Sequence, residues 1–345
     1  MRPAHVLRLP AGLTLRGSAR SVLVVALLLA ACALLCAVTV LTGTYKITTE
    51  GALGVLAGDG TRLDRFIVLG QRLPRVAAAL LVGAALGLSG ALFQSLSRNP
   101  LGSPDIVGFT TGSATGALVA LLVGVGGLSV QAGALLGGLG TAAVVHLFTL
   151  VRGAGGNRLV LTGIAVGAML ASVNDFLLTR ADLEAAENAK TWLHGSLNAI
   201  SWPQVVPLGF CLLLLVPPAL ATARPLRLME MGGDVAAGLG VPVGRVRMSV
   251  LLLGVGLTGA AIAAAGPIGF LALAAPQLAR RLTRTPGIAP VAALAMGATL
   301  LTGADLLAQR LLAPFQIPVG LVTGVLGGAY LLWLLATDGR RRRTG

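Results

Sequence analysis

The ionisable and nucleophilic residues are few and widely spaced. Only Lys46 and Lys190 could serve as a phosphate-binding lysine, and neither follows a glycine-rich turn. With no G-x-x-x-x-G-K-[ST] loop, the chain is not expected to bind and hydrolyse ATP by itself. His5, His146 and His194 lie far apart, and Cys32, Cys36 and Cys211 sit inside apolar runs without ligand spacing, so no metal or cofactor centre is expected. Gly87, Leu88, Ser89 and Gly90 spell G-x-S-G, the pattern of an intramembrane serine protease, with His146 as its possible base. A glycine-rich chain produces such matches by chance. Asp305 and Asp175 are carboxylates inside apolar runs, where a charge faces a cavity or a partner, and Gln309 stands one turn from Asp305. An ion-coupled secondary transporter, the alternative reading, calls for a committed carboxylate or basic relay at the midplane, and none is central here.

These groups sit in a chain of 345 residues that is 55% hydrophobic and 11% charged, with 48 glycines. A soluble domain has about a quarter of its residues charged, so the bilayer is the main solvent. Apolar runs divided at breakers give spans near 21–42, 73–96, 105–125, 129–151, 158–178, 204–222, 247–265, 267–280, 289–311 and 317–337. The first is expected to be an uncleaved span and not a signal peptide, because the run is near full span length. The expected fold is therefore all-α and polytopic, with about ten transmembrane helices at about 20 residues per span. It comprises a basic tail (1–20), one membrane domain (21–337) and a second basic tail (338–345).

An even span count puts both termini on one side. Most of the 26 basic residues then fall with them, including Arg20, Arg98, Arg152, Arg158, Arg224, Arg227, Arg245, Arg247, Arg280, Arg281, Arg284 and Arg340 to Arg343. The positive-inside rule makes that side the cytoplasm and argues against nucleic acid as the reason for a formal charge of +14. Arg62, Arg65, Arg72 and Arg75 oppose the rule and need another use. Residues 180–202 suit a short surface helix or a plain loop, with Trp192 and Trp202 at the lipid interface. Glycines four apart (Gly83 and Gly87, Gly112 and Gly116, Gly163 and Gly167, then Gly320, Gly324 and Gly328) predict close helix packing.

The segment from Gln71 to Gly116 carries Arg72-x-Pro74-Arg75, then Ser89-Gly90 with Gln94, then Arg98-Asn99-Pro100-Leu101 and Pro104. It resembles the permease subunits of binding-protein-dependent ABC importers for iron-siderophores, haem and cobalamin, the FecCD-type permeases. Trp192 to Ser196, Gly266 to Phe270, Pro276 to Arg280 and Asp305 to Gly320 extend the likeness over nearly all of the chain after the first span. The wording from Phe93 to Asp105 resembles the ferric-enterobactin-type permeases.

The resemblance implies partners and roles. Arg72, Arg75 and Arg310 would receive acidic residues of an extracytoplasmic siderophore-binding (lipo)protein. The family arginine aligns with Gln309, one residue before Arg310, and the family's Pro-His pair appears as Pro276 and Gln277. Residues 227–247, with Glu230, Gly232, Asp234, Leu239 and Gly240, resemble a coupling segment seated on a cytoplasmic ATP-binding subunit, and their spacing is that of a short amphipathic helix. Ser89, Gln94, Arg98, Asn99, Pro100 and Asp305 are expected along the translocation path or its gates. A second permease subunit, identical or related, would close that path around a ferric-siderophore, with lipid outside. The chain itself would be no enzyme.

Overall fold

The computed structural model describes residues 5–8, 14–43, 45, 47–124, 129–151, 156–313 and 315–343. Arg152 and Pro314 lie outside them. The first tail forms a short antiparallel hairpin, β1 (His5–Arg8) with β2 (Thr14–Gly17), and everything after it is helical or connecting.

Helix α1 (Ala19–Leu41) starts where the Ser18 hydroxyl accepts the Ser21 amide, and runs as one apolar span. Two short helices, α2 (Thr49–Leu56) and α3 (Arg62–Arg65), lead through a π-helical stretch (Phe66–Arg72) into α4 (Leu73–Ser97). The second span therefore begins earlier than its apolar run: Arg62 to Ser97 is one continuous helix of 36 residues. Pro74 does not break it: the proline sits where the π-helical stretch passes into the α-helical part, and the helix runs on through it.

After a turn at residues 99–108 come α5 (Phe109–Leu118) with a π-helical end (Val119–Val123), α6 (Val130–Val151) and α7 (Gly156–Arg180). The segment after Arg180 holds a surface helix, α8 (Leu183–Leu193), and α9 (Trp202–Ala221) follows a Ser201–Gln204 capping box. The connection between α9 and the next long helix is two helices, α10 (Ala223–Glu230) and α11 (Gly233–Gly238), where the spacing suggested one. Gly232 between them has φ +132°, a conformation no helix contains. Then come α12 (Val243–Ala265), α13 (Leu271–Thr283), α14 (Pro290–Arg310) and α15 (Val319–Arg343).

Among the described residues seven helices are long and apolar enough to cross a membrane, and 109–123 and 319–333 are shorter apolar helices. The eighth expected span is the exception. Gly266 to Phe270 is irregular, with positive φ at both ends, and α13 has only 13 residues. Irregular backbone at such depth is tolerated because surrounding helices bury it.

Helix α4 is the hub: nearly all of its residues from Val82 to Gln94 are buried, against α14, α12, α13 and α9. Glycine makes the approach possible. A methyl at Gly83 would overlap the Gly297 carbonyl oxygen, one at Gly87 that of Ala293, and one at Gly90 that of Ala272. Gly112 and Gly116 meet Thr141 and Gly133 of α6 in the same way, and Gly163 of α7 meets Val107. Gly320 meets the His194 carbonyl, whereas Gly324 and Gly328 face open space.

Candidate functional site

Long-range contacts define two ends of the bundle. At one, Arg20 Nε donates to the Leu282 carbonyl at 2.7 Å, Ser95 meets Glu230, and Arg227 reaches the Ile288 carbonyl. This end gathers the start of α1 and the helix α10 with the ends of α4 and α13, and with them Arg20, Arg227 and Arg280. At the other, the ends of α1 and α14 meet the start of α4 and the loop at 194–201.

The second end holds a cavity of about 610 Å³, lined among others by Thr42, Tyr45, Arg72, Arg75, Gln309 and Gln316. Both arginines there are already engaged. Arg72, 8% exposed, donates from Nη1 to the Val40 carbonyl and from Nη2 to the Tyr45 carbonyl, each at 2.7 Å. The approach requires Gly43, where a Cβ would come within 2.6 Å of Arg72 Nη2. Arg75 forms a forked pair with Asp305: Nε lies 3.1 and 2.9 Å from the two carboxylate oxygens and Nη2 2.9 Å from Oδ1. Its Nη1 donates to Gln316 Oε1 at 2.7 Å, while Gln309 Nε2 donates to Asp305 Oδ2 at 2.7 Å. The bidentate geometry is what guanidinium and carboxylate favour, and burial strengthens it. Among the expected arginines, Arg310 is exposed and does not line the cavity; Gln309 does. The π-helical stretch is secured by Trp202, whose indole N–H donates to the Leu69 carbonyl at 2.9 Å.

The residues expected along a path separate. Ser89 is fully buried against α12, its hydroxyl 2.8 Å from the Gly254 carbonyl and 2.7 Å from Thr258 Oγ1. It faces packed protein, not an open path, and it makes no contact with His146, so the G-x-S-G match has no base beside it. Gln94 is buried and ties α4 to α13, Nε2 donating to the Leu273 carbonyl at 2.9 Å. Arg98 ends α4 in a left-handed conformation with its side chain exposed, and Asn99 Oδ1 accepts the Leu101 amide at 2.9 Å, which tightens the turn that includes Pro100. Gln277 stands where the resemblance leads one to expect histidine. Its Nε2 donates to the Pro100 carbonyl at 2.6 Å, so a neutral amide joins that turn to α13. Asp175 is exposed on α7.

In the connection at 223–240, Glu230 turns inward. Ser95 Oγ donates to its Oε1 at 2.7 Å, and its Oε2 lies against Gly287. The outward side carries Met231, Val235 and Leu239, 60%, 51% and 61% exposed. Asp234 opens α11, and Leu239 and Gly240 close it, Gly240 at φ +81°. Glu230 and Asp234 stand on separate helices, divided by the break at Gly232. What spacing did not reveal is Ser95, the partner of Glu230, since a buried serine on an apolar helix carries no distinguishing signal.

A hub helix with an arginine-lined cavity at one end and a helical connection at the other belongs to an all-α, multi-pass membrane protein. The chain belongs to the FecCD transport family, whose model matches residues 23–337. It is 46% identical over 301 residues to the ferric enterobactin transport system permease protein FepG of Escherichia coli (strain K12), covering 87% of this chain and 91% of that protein. It is 40% identical over 274 residues to the achromobactin transport system permease protein CbrC of Dickeya dadantii (strain 3937), covering 78% of each. Among solved structures it is similar to an inward-facing conformation of a metal-chelate type ABC transporter, with a TM-score of 0.82 and 26% identity, over 91% of this chain and 99% of that one.

Proposed function

We propose that the chain is the membrane subunit of an ABC importer that receives a ferric siderophore from an extracytoplasmic binding protein and passes it to the cytoplasm. A separate ATP-binding subunit supplies the energy, and a second permease subunit completes the path. The chelate crosses chemically unchanged. The basic end, with Arg20, Arg98, Arg280, Arg281 and Arg284, is the cytoplasmic side of the cytoplasmic membrane, and both termini lie there.

The observation that carries this reading is the span of α4: Arg75 stands near its start in the outer cavity, and Ser95 near its end holds Glu230 of the inner connection. One buried helix thus joins the place where a carrier would dock to the place where an ATPase would push. Arg72, Arg75 and the exposed Arg310 supply positive charge for acidic carrier residues, which sets docking register and rate more than affinity. Met231, Val235 and Leu239 supply the apolar side that an ATPase groove would cover, with Gly232, Asp234 and Gly240 shaping the segment. Gln94, Asn99, Pro100 and Arg98 form the inner turn that gates the path. Asp305 is committed to Arg75 and Gln309, which removes it as the free carboxylate of an ion-coupled carrier.

Uptake of iron-labelled ferric enterobactin by cells carrying the chain with its neighbouring transport genes tests the reading. Uptake is expected to persist with an uncoupler when ATP is maintained, and to stop when ATP is depleted. Collapse with the uncoupler at constant ATP, with no ATPase co-purifying, would sink it.

A further inference from the structure

Beneath the connection at 223–240 is a small, partly open space of about 10 Å³, lined by Ala91, Gln94, Ser95, Glu230, Arg280 and Pro276 together with Ile288 and Ala289. Three of its polar groups are unusual together. Gln94 Oε1 is buried with no hydrogen-bond partner, although the same amide's nitrogen is satisfied by Leu273. Glu230 is held at one wall by Ser95. Arg280, half-buried in the last turn of α13, lies at another wall and makes no direct ion pair with Glu230, although they are opposite charges around one cavity. A space of this size admits about one water, and both charged residues border it.

We propose that Glu230 and Arg280 are a charge pair acting across this space, through which displacement of the inner connection moves α13. The argument rests on the chemistry of the positions. Glu230 ends α10, so its carboxylate moves with the connection. Arg280 lies in the last turn of α13, a 13-residue helix that begins after an irregular break. Between them, Ser95 and Gln94 on α4 provide a fixed reference: a hydroxyl that orients the carboxylate and a buried amide whose residue lines the same space. Attraction across a low-dielectric gap is strong enough to couple the two elements, and it grows as they close. Gly287, against which Glu230 Oε2 rests, leaves room for the carboxylate to slide, since any side chain there would block it. Glu230 and Arg280 are therefore positioning residues that act through α13.

This proposal depends on the reading of residues 227–247 as a coupling segment, and its test separates the two. In proteoliposomes with the full complex, E230Q and R280Q are each expected to lower ATP-driven uptake of ferric enterobactin about tenfold while the ATPase still co-purifies, and E230R/R280E is expected to recover most of it. R280K keeps the charge and is expected to stay within about threefold of the unmodified chain. Uptake unchanged in either neutralised variant, or a swap no better than the poorer single change, overturns the pair. If the unmodified chain retains no ATPase, the coupling reading fails instead. The pair is then judged on the purified chain by thermal unfolding, where the swap is expected to recover midpoint lost in E230R and in R280E, and strict additivity overturns it.

Discussion

Arg75 and Asp305, 230 positions apart in sequence, form a forked ion pair that binds the start of α4 to the end of α14. The pair is nearly enclosed, with 11% and 2% of the side chains exposed, and Gln309 and Gln316 complete its hydrogen bonds. It gives the outer cavity a fixed wall and neutralises one of the two arginines there.

Breaking the pair from one side leaves a buried charge without its partner, at a cost of about 3 kcal/mol. R75A and D305A are each expected to lower the thermal unfolding midpoint of the purified chain clearly. R75A/D305A is expected to be less damaging than the sum of the two, because no orphan charge remains. Additive losses would mean that the pair does not hold α4 to α14.

Docking separates from stability at Arg310, which is exposed and outside the pair. R310E is expected to slow association of the loaded binding protein about tenfold at low salt, to lose that effect at high salt, and to leave the unfolding midpoint unchanged. R75E is expected to lower both. Unaltered association kinetics in R310E would remove Arg310 from the docking surface.

Much of this was legible in sequence, for physical reasons that differ by residue. Most of the spans followed from apolar runs, the stretch 267–280 excepted, and the glycine spacing at 83 and 87 anticipated the contact with Gly297 and Ala293, because close backbones leave no room for a side chain. The arginines at 72 and 75 stood out because they oppose the charge rule. Their partners did not: the Val40 and Tyr45 carbonyls are backbone atoms without a sequence signature, and Asp305 is paired from 230 positions away. The early start of the second span was hidden because the π-helical stretch and α3 carry charges that look like a loop. The division of the segment into two helices was hidden because helical spacing runs on across Gly232.

Glycine packing is testable by contrast. A methyl at Gly90 would overlap the Ala272 carbonyl oxygen, and backbone on both sides cannot yield, so G90A is expected to cost about 3 kcal/mol or more and to reduce the folded yield. Gly140 on α6 faces open space, so G140A is expected to be neutral or slightly stabilising through helix propensity. Equal tolerance of the two changes would contradict the close approach of α4 to α13.

The exposed apolar side of the inner connection makes the last prediction. Met231, Val235 and Leu239 lie four residues apart on the surface, and three such side chains in water favour a covering partner. Replacing all three with serine removes apolar area that only a partner would bury, so the free chain loses little and a complex loses much of its contact energy. The triple variant is expected to keep its unfolding midpoint and to retain about tenfold less of its ATPase subunit on co-purification. E230Q alters the inward face, so it is expected to leave that retention intact while uptake falls. If the triple variant retains the ATPase fully, the contact lies elsewhere on the basic end. If E230Q releases it, then Glu230 faces the ATPase in the assembled state and the inward hydrogen bond to Ser95 belongs to the free chain alone.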